Sequence, residues 1–185
     1  MGNAIEMLIT DHREVEQLFE RYEATRDPNV VQQICTELTV HAALEEKVVY
    51  PVLSADVERG PQMRQHAEEE HQEVKDAIFE IERLGYGAPG VEQYMRKIIE
   101  GVKEHVSEEE SEVLPKLRRG LTPEQMARVT EQAEAVKEQL MREARTAGPL
   151  IDLTKDKLYQ LAKEKDIPRR SEMNKEQLKA ALKAS

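Results

Sequence analysis

His41-Ala-Ala-Leu-Glu45 and His105-Val-Ser-Glu-Glu109 decide how this chain is read. Both fall in long helical stretches, and residues four apart on a helix lie about 40° apart around its axis. Each pair therefore turns an imidazole and a carboxylate to one side. Working outward, the first helical stretch carries Ile5, Leu8, His12, Val15, Phe19 and Tyr22 at three-to-four spacing, and the second Ile34, Leu38, His41, Glu45, Val48 and Val52. The third carries Met63, Ala67, His71, Val74, Ile78 and Ile81, and the fourth Val91, Tyr94, Ile98, Val102, His105, Glu109 and Val113. In all four, a histidine takes a position that the pattern reserves for the core. Burying six such groups is costly unless something pairs with them. A metal centre inside a helical bundle does so.

Turn chemistry sets the lengths. Asn3 and Glu6 have capping-box spacing for a helix from about Ala4 to Thr25. Asp27-Pro28 opens the second, which reaches roughly to Val57 with a disturbance at Pro51. Gly60-Pro61 opens the third, which ends near Gly85, and Pro89-Gly90 opens the fourth, which meets Pro115 and stops by Gly120. Short connections between long helices predict an all-α, up-down four-helix bundle over residues 1–120. Thr122-Pro123 opens a fifth helix, 121–145, whose stripe of Met126, Val129, Ala133, Val136 and Leu140 holds no ionisable group. It is expected to pack on the bundle without contributing to the site. Residues 146–150 read as a linker and 151–185 as a small separate module.

Composition narrows the function classes. The chain has 185 residues, 35% of them charged, and a net charge of −10. Nine Lys/Arg against six Asp/Glu give residues 151–185 a charge of +3, which leaves −13 on residues 1–150. The main body should repel nucleic acid; the tail need not. No apolar run is long enough to span a membrane. The start lacks the basic segment and apolar core of a signal peptide, and Cys35 is the only cysteine. A reducing cytoplasm is the expected compartment.

Four imidazoles and two carboxylates suit iron or manganese better than a thiolate-type zinc site. Two carboxylates in matching positions suggest bridging, hence two metals. At these residues the chain resembles the hemerythrin-like, or HHE cation-binding, family: DHREVEQLFE around His12, HAALEEKVVYP from His41, EEEHQEV around His71 and HVSEEESEVLP from His105. The resemblance covers roughly residues 1–120. It implies a centre of two iron ions bridged by oxygen, held by His12, His41, Glu45, His71, His105 and Glu109. It further implies O2, H2O2 or NO as the small ligand, with catalase- or peroxidase-like turnover among the activities and no catalytic residue outside the metal site. Oxygen-carrying members have a fifth histidine four residues before that of the third helix. Here that residue is Ala67, which shifts the expectation from carrying oxygen to reacting with it or sensing it.

Two further residues are candidates for the vacant position. Tyr50 points about 140° away from Glu45 on an ideal helix, which favours packing between helices. Pro51 removes a backbone hydrogen bond and can shift the phase, turning Tyr50 inward, where a phenolate would stabilise ferric iron. His66 lies off the stripe and reads as a surface histidine. Glu46, Glu108, Glu110 and the Glu68-Glu69-Glu70 run read as a solvated face. In the tail, Thr154 and Asn174 are caps for two short helices, with Ile167 to Arg170 extended between them. This resembles the helix-extension-helix module of Rho and SAP-type proteins. That likeness implies nucleic-acid contact through Lys165, Arg169, Arg170 and Lys175, with protein docking as the competing role. Two other functions stay open: an iron- or redox-responsive adaptor acting through this tail, and a metal-free helical interaction protein.

Overall fold

The computed structural model describes residues 2–147 and 155–184, and among these the chain is helical with no strand. Asn3 opens α1 (Ala4–Thr25) through a reciprocal capping box with Glu6, both bonds 3.1 Å. Asp27 caps α2 (Pro28–Leu44), with Pro28 where a missing N–H costs nothing. α3 (Tyr50–Asp56) turns tightly into α4 (Gly60–Leu84). Glycine is required at 60, because a Cβ there would stand 1.9 Å from the Leu53 carbonyl oxygen. Gly90, at φ 96°, leads into α5 (Val91–Glu108), followed by α6 (Leu114–Gly120). Thr122 and Gln125 cap α7 (Pro123–Ala147) reciprocally.

The disturbance expected at Pro51 takes a definite form, and Pro115 repeats it. α2 and α5 each pass through one widened π turn, Glu45–Val49 and Glu109–Val113, and continue as α3 and α6. Tyr50 N–H donates to Glu45 O, and Leu114 N–H to Glu109 O, closing i→i+5 rings. Proline has no N–H for the carbonyl four residues back and its ring crowds that carbonyl. The extra residue in the turn relieves the clash without ending the helix. It also carries every later side chain to a new direction.

α1, α2, α4 and α5 form the bundle. Its apolar core is split in two by the histidine layer. Ile5, Leu8, Leu44, Val49 and Leu53 fill one end, where Val129, Ala133 and Leu140 of α7 close over them. Phe19, Ile34, Cys35, Ile78, Ile81, Met95 and Ile98 fill the other. No helix among the described residues is long and apolar enough to cross a membrane.

α8 (Lys155–Glu164) and α9 (Lys175–Ala184) pack on each other, burying Leu158, Leu161, Leu178 and Leu182 against Phe79 of α4. Asn174 caps α9 as expected, its side chain accepting from Gln177 N–H at 2.9 Å. The segment between them is not extended. Asp166, at φ 51°, ends α8 in a Schellman closure in which Ile167 N–H reaches Ala162 O at 2.8 Å. Arg170–Glu172 then form a 3-10 turn. Ile167 is buried in one cluster with Leu161, and the left-handed residues Asp166 and Arg169 on either side turn the chain. α7 runs to Ala147, into the expected linker at 146–150; residues 148–150 and the expected cap Thr154 lie outside the described residues.

Candidate metal centre

All six inward residues of the helix stripes meet midway along the bundle. His12, His41, Glu45 and Glu109 form one group, and Glu45, His71 and His105 a second, with donor atoms in each group within 4.8 Å of one another. Glu45 belongs to both. Its Oε1 lies 3.3 Å from His41 Nε2, while its Oε2 lies 3.2 Å from His71 Nε2 and 3.9 Å from His105 Nε2. Glu109 Oε2 stands 3.2 Å from His12 Nε2. One carboxylate thus offers one oxygen to each group, the geometry of a bridge.

Several of these atoms are buried with no hydrogen-bond partner: His12 Nε2, both ring nitrogens of His41, Glu45 Oε1 and both oxygens of Glu109. Unpaired buried polar atoms cost about 1–3 kcal/mol each, so six in one layer call for a shared partner. Two donors at right angles about 2.1 Å from one ion stand about 3 Å apart. The 3.3 Å between His71 Nε2 and His105 Nε2 matches that spacing. The residues present fit bound cations.

Tyr50 completes the second group. It is fully buried, and its hydroxyl donates to Glu45 Oε2 at 3.1 Å and lies 3.3 Å from His71 Nε2. The direction expected from an ideal helix is thereby corrected: closing i→i+5 brings residue 50 round to the face of Glu45, while the ring packs in the apolar core. Ala67, where oxygen carriers have a histidine, is buried in the same cluster as Tyr50. His66 is not brought to the centre. Its imidazole is 59% exposed and lies 3.1 Å from Glu108 Oε2.

Three of the glutamates assigned to a solvated face, Glu46, Glu70 and Glu110, are the main correction, while Glu69 and Glu108 are exposed as expected. Glu110 Oε1 lies 2.9 Å from His12 Nδ1, Glu46 Oε1 3.0 Å from His71 Nδ1, and Glu70 Oε2 2.8 Å from His105 Nδ1. Asp11 Oδ2 stands 3.8 Å from His41 Nδ1. His12, His71 and His105 therefore each have a hydrogen-bonded carboxylate behind them and Nε2 toward the centre, which fixes tautomer and ring direction, while Asp11 faces His41 at longer range. The carboxylates are themselves anchored: Glu110 by Arg13 at 2.7 Å, Glu46 by Lys75 at 2.8 Å, and Asp11 by Lys137. Lys137 belongs to α7, so the fifth helix does contribute to the site. The signal was present in the sequence. Asp11, Glu46, Glu70 and Glu110 each adjoin an inward residue, and each serves the histidine of the next helix, in the order α1 to α2 to α4 to α5 and back to α1.

The donors also titrate against one another. Burial works against charge on His105, but Glu45 and Glu70 outweigh it and raise its pKa to about 10. Burial likewise opposes the upward shifts of His71, driven by Glu45 and Glu46, and of His12, driven by Glu109 and Glu110. Burial and the charge of Glu45 push Glu109 up. Burial acts against ionisation of Glu45 too, yet His41, His105 and His71 hold its carboxyl well below the usual range. Burial and the glutamates keep the Tyr50 phenol protonated far above its ordinary range.

In the tail, Lys165 is exposed, Arg169 forks onto Glu172 at 2.7 and 3.1 Å, and Arg170 and Lys175 are half-buried. Arg170 donates to the Ile167 carbonyl. Arg169 and Arg170 are thus partly committed to the module itself.

Fold and site together define a helical-bundle protein with a buried histidine and carboxylate cation centre. The family model described as the hemerythrin HHE cation binding domain matches residues 3–117, and the chain belongs to that family. Its fold is that of a crystallised hemerythrin HHE cation binding domain-containing protein from Mycobacterium kansasii, with a TM-score of 0.66 and 24% identity over 80% of this chain and 95% of that one. An uncharacterized hemerythrin-like protein of Schizosaccharomyces pombe is 23% identical over 80% of this chain and 76% of its own length. A DNA nickase of Nostoc is 28% identical over 76% of this chain, which spans only 40% of that protein. The family match ends before α7, and the likeness of the C-terminal module to Rho and SAP-type modules gains no support from these relatives.

Proposed function

We propose that the bundle would hold two iron ions among its histidines and carboxylates and react with, or sense, peroxide, dioxygen or nitric oxide. The observation that carries this is the division of Glu45, one oxygen facing each half of the site. His12, His41 and Glu109 with Glu45 Oε1 would hold one ion; His71, His105 and Tyr50 with Glu45 Oε2 the other. Nitrogen and oxygen donors of this kind suit iron, and the Tyr50 phenol would favour its ferric form. The bound irons would supply the electrons exchanged with the small ligand. A cavity of about 30 Å³ beside the histidines, walled by Val15, Leu38, Val74, Ile78 and Val102, has room for a diatomic or a peroxide. The outer carboxylates hold the imidazoles in place during any change of charge.

Protein purified from iron-supplemented cells should contain about two irons per chain. The change His41→Ala with Glu45→Ala should remove most of both. Titration with peroxide, dioxygen and nitric oxide, followed optically and by oxygen release, separates catalase-like turnover from sensing. Iron content indifferent to the double substitution would sink the reading.

A second reading rests on the docking of the C-terminal module against Phe79, two turns along α4 from His71. In it the module passes the state of the centre to a nucleic acid or protein partner, and the nickase relative makes DNA the partner to try first. Supercoiled plasmid at low salt should show a shift or a nick that Lys165→Glu with Arg169→Glu abolishes. Equal behaviour of the two proteins would count against it.

A further inference from the structure

A second cluster lies on the α4–α5 face, outside the buried centre. His66, Glu70 and Glu108 place donor atoms within 4.8 Å of one another. His66 Nε2 is 3.1 Å from Glu108 Oε2 and 3.7 Å from Glu70 Oε1, while Glu70 Oε2 holds His105. His66 and Glu108 are each 59% exposed, and Glu70 only 23%, so the three descend from solvent toward the core. They rim a cleft of about 230 Å³ whose inner wall is Ala67, His105 and Glu109. Glu109 is only 2% exposed and both its oxygens lack a hydrogen-bond partner. The cleft therefore leads from a surface donor set to an unpartnered buried carboxylate.

Charge separates this cleft from its counterpart. Among the described residues no lysine or arginine lines it, although Lys116 at 3.4 Å offsets Glu112 on its rim. A cleft of the same volume on the α1–α5 side reaches His12, but there Arg13 and Lys103 balance Glu16 and Glu110. A dication is drawn to the first and gains little at the second. Glu73, Asp76, Glu80, Glu100 and Glu104 outnumber Lys97 around an adjoining groove of about 530 Å³ on the same face, which extends the negative potential. At residue 67 the side chain ends at Cβ and leaves the cleft floor open.

We propose that His66, Glu70 and Glu108 form an uptake site for a hydrated divalent cation, which then passes over Ala67 to the His105–Glu109 side of the buried centre. The proposal rests on the reading that the buried cluster holds such cations. Exposed donors leave the ion part of its water shell and release it readily, as a way-station requires. Glu70, shared between His66 and His105, joins the two sites.

Rapid mixing of the metal-free full chain with Co2+ at low ionic strength tests this, with cobalt absorption reporting the filling of the centre. His66→Ala with Glu108→Gln should slow filling about tenfold and leave the end-point spectrum and stoichiometry unchanged. Added salt should narrow the difference. Lys103→Ala, in the opposite cleft, should fill at the rate of the unaltered chain. An unchanged rate in the double variant, or a slower rate with a reduced end-point, would overturn the uptake role. An unaltered chain that takes up no cobalt would overturn the reading of the buried cluster as well.

Discussion

Tyr50 owes its place to one backbone detail. The regular helix directs it away from Glu45; the π turn before Pro51 directs it onto Glu45 and His71. If the phenol binds ferric iron, Tyr50→Phe should abolish visible phenolate-to-iron absorption while iron stays at about two per chain. The lost hydroxyl bonds should cost stability only about 1 kcal/mol. Optical spectra and iron analysis check this, and a spectrum unchanged by the substitution would remove Tyr50 from the site. The six stripe residues were legible because the 3.6-residue period fixes their direction without knowledge of the neighbours. Tyr50 was only half legible, since a proline announces a disturbance but not its sense. Glu46, Glu70 and Glu110 were misread because a residue beside the stripe sits about 100° from its neighbour, where a hydropathy pattern puts water. The facing histidine of the next helix makes that direction a half-buried one.

At the scale of elements, the antiparallel order explains the ring of carboxylates. On α1 and α4 the serving carboxylate precedes the inward residue; on α2 and α5 it follows. Reversing a helix reverses the sense in which its sequence winds, so all four carboxylates point the same way around the bundle. α7 enters this ring through Lys137 and Asp11. Its apolar stripe was readable in the sequence, but the reach of one lysine over a helix boundary was not. Lys137→Met should leave the bundle folded, because Val129, Ala133 and Leu140 still close the core. Asp11 would lose its anchor and hold His41 less firmly. Weakening such an outer contact costs about tenfold in cation affinity. Competition with a chelator would measure it, and an unaltered affinity would mean that α7 serves only as a cover.

Across the whole molecule, a charged layer divides one apolar core from another, so stability should depend jointly on cation and pH. In the cation-free protein His12, His71 and His105 have raised pKa values, that of His105 reaching about 10. A raised pKa contributes stability that is fully present below the unfolded value, about 6.5 for histidine, and is lost as pH climbs through the folded value. Glu109, also raised, acts in the same sense. Glu45 is lowered, so its contribution fades only in acid and does not enter the window near neutrality. The cation-loaded protein follows the opposite course, because cations displace those protons and bind more tightly as pH rises. Glu82, raised by burial to about 7, titrates at the far end of the bundle in both forms and cancels from their difference. Stabilisation by bound cation is about 2.7 kcal/mol at a free concentration one hundred times Kd. The gap in melting temperature between Co2+-loaded and chelated protein should therefore widen from pH 6 to pH 8, and each ion bound should release protons to the buffer. Calorimetry at the two pH values, with binding titrations in buffers of different ionisation enthalpy, measures both effects. A gap unchanged between the two pH values, with no proton release, would show that the histidines are neutral before the cation arrives, and that the carboxylates behind them orient the rings without charging them.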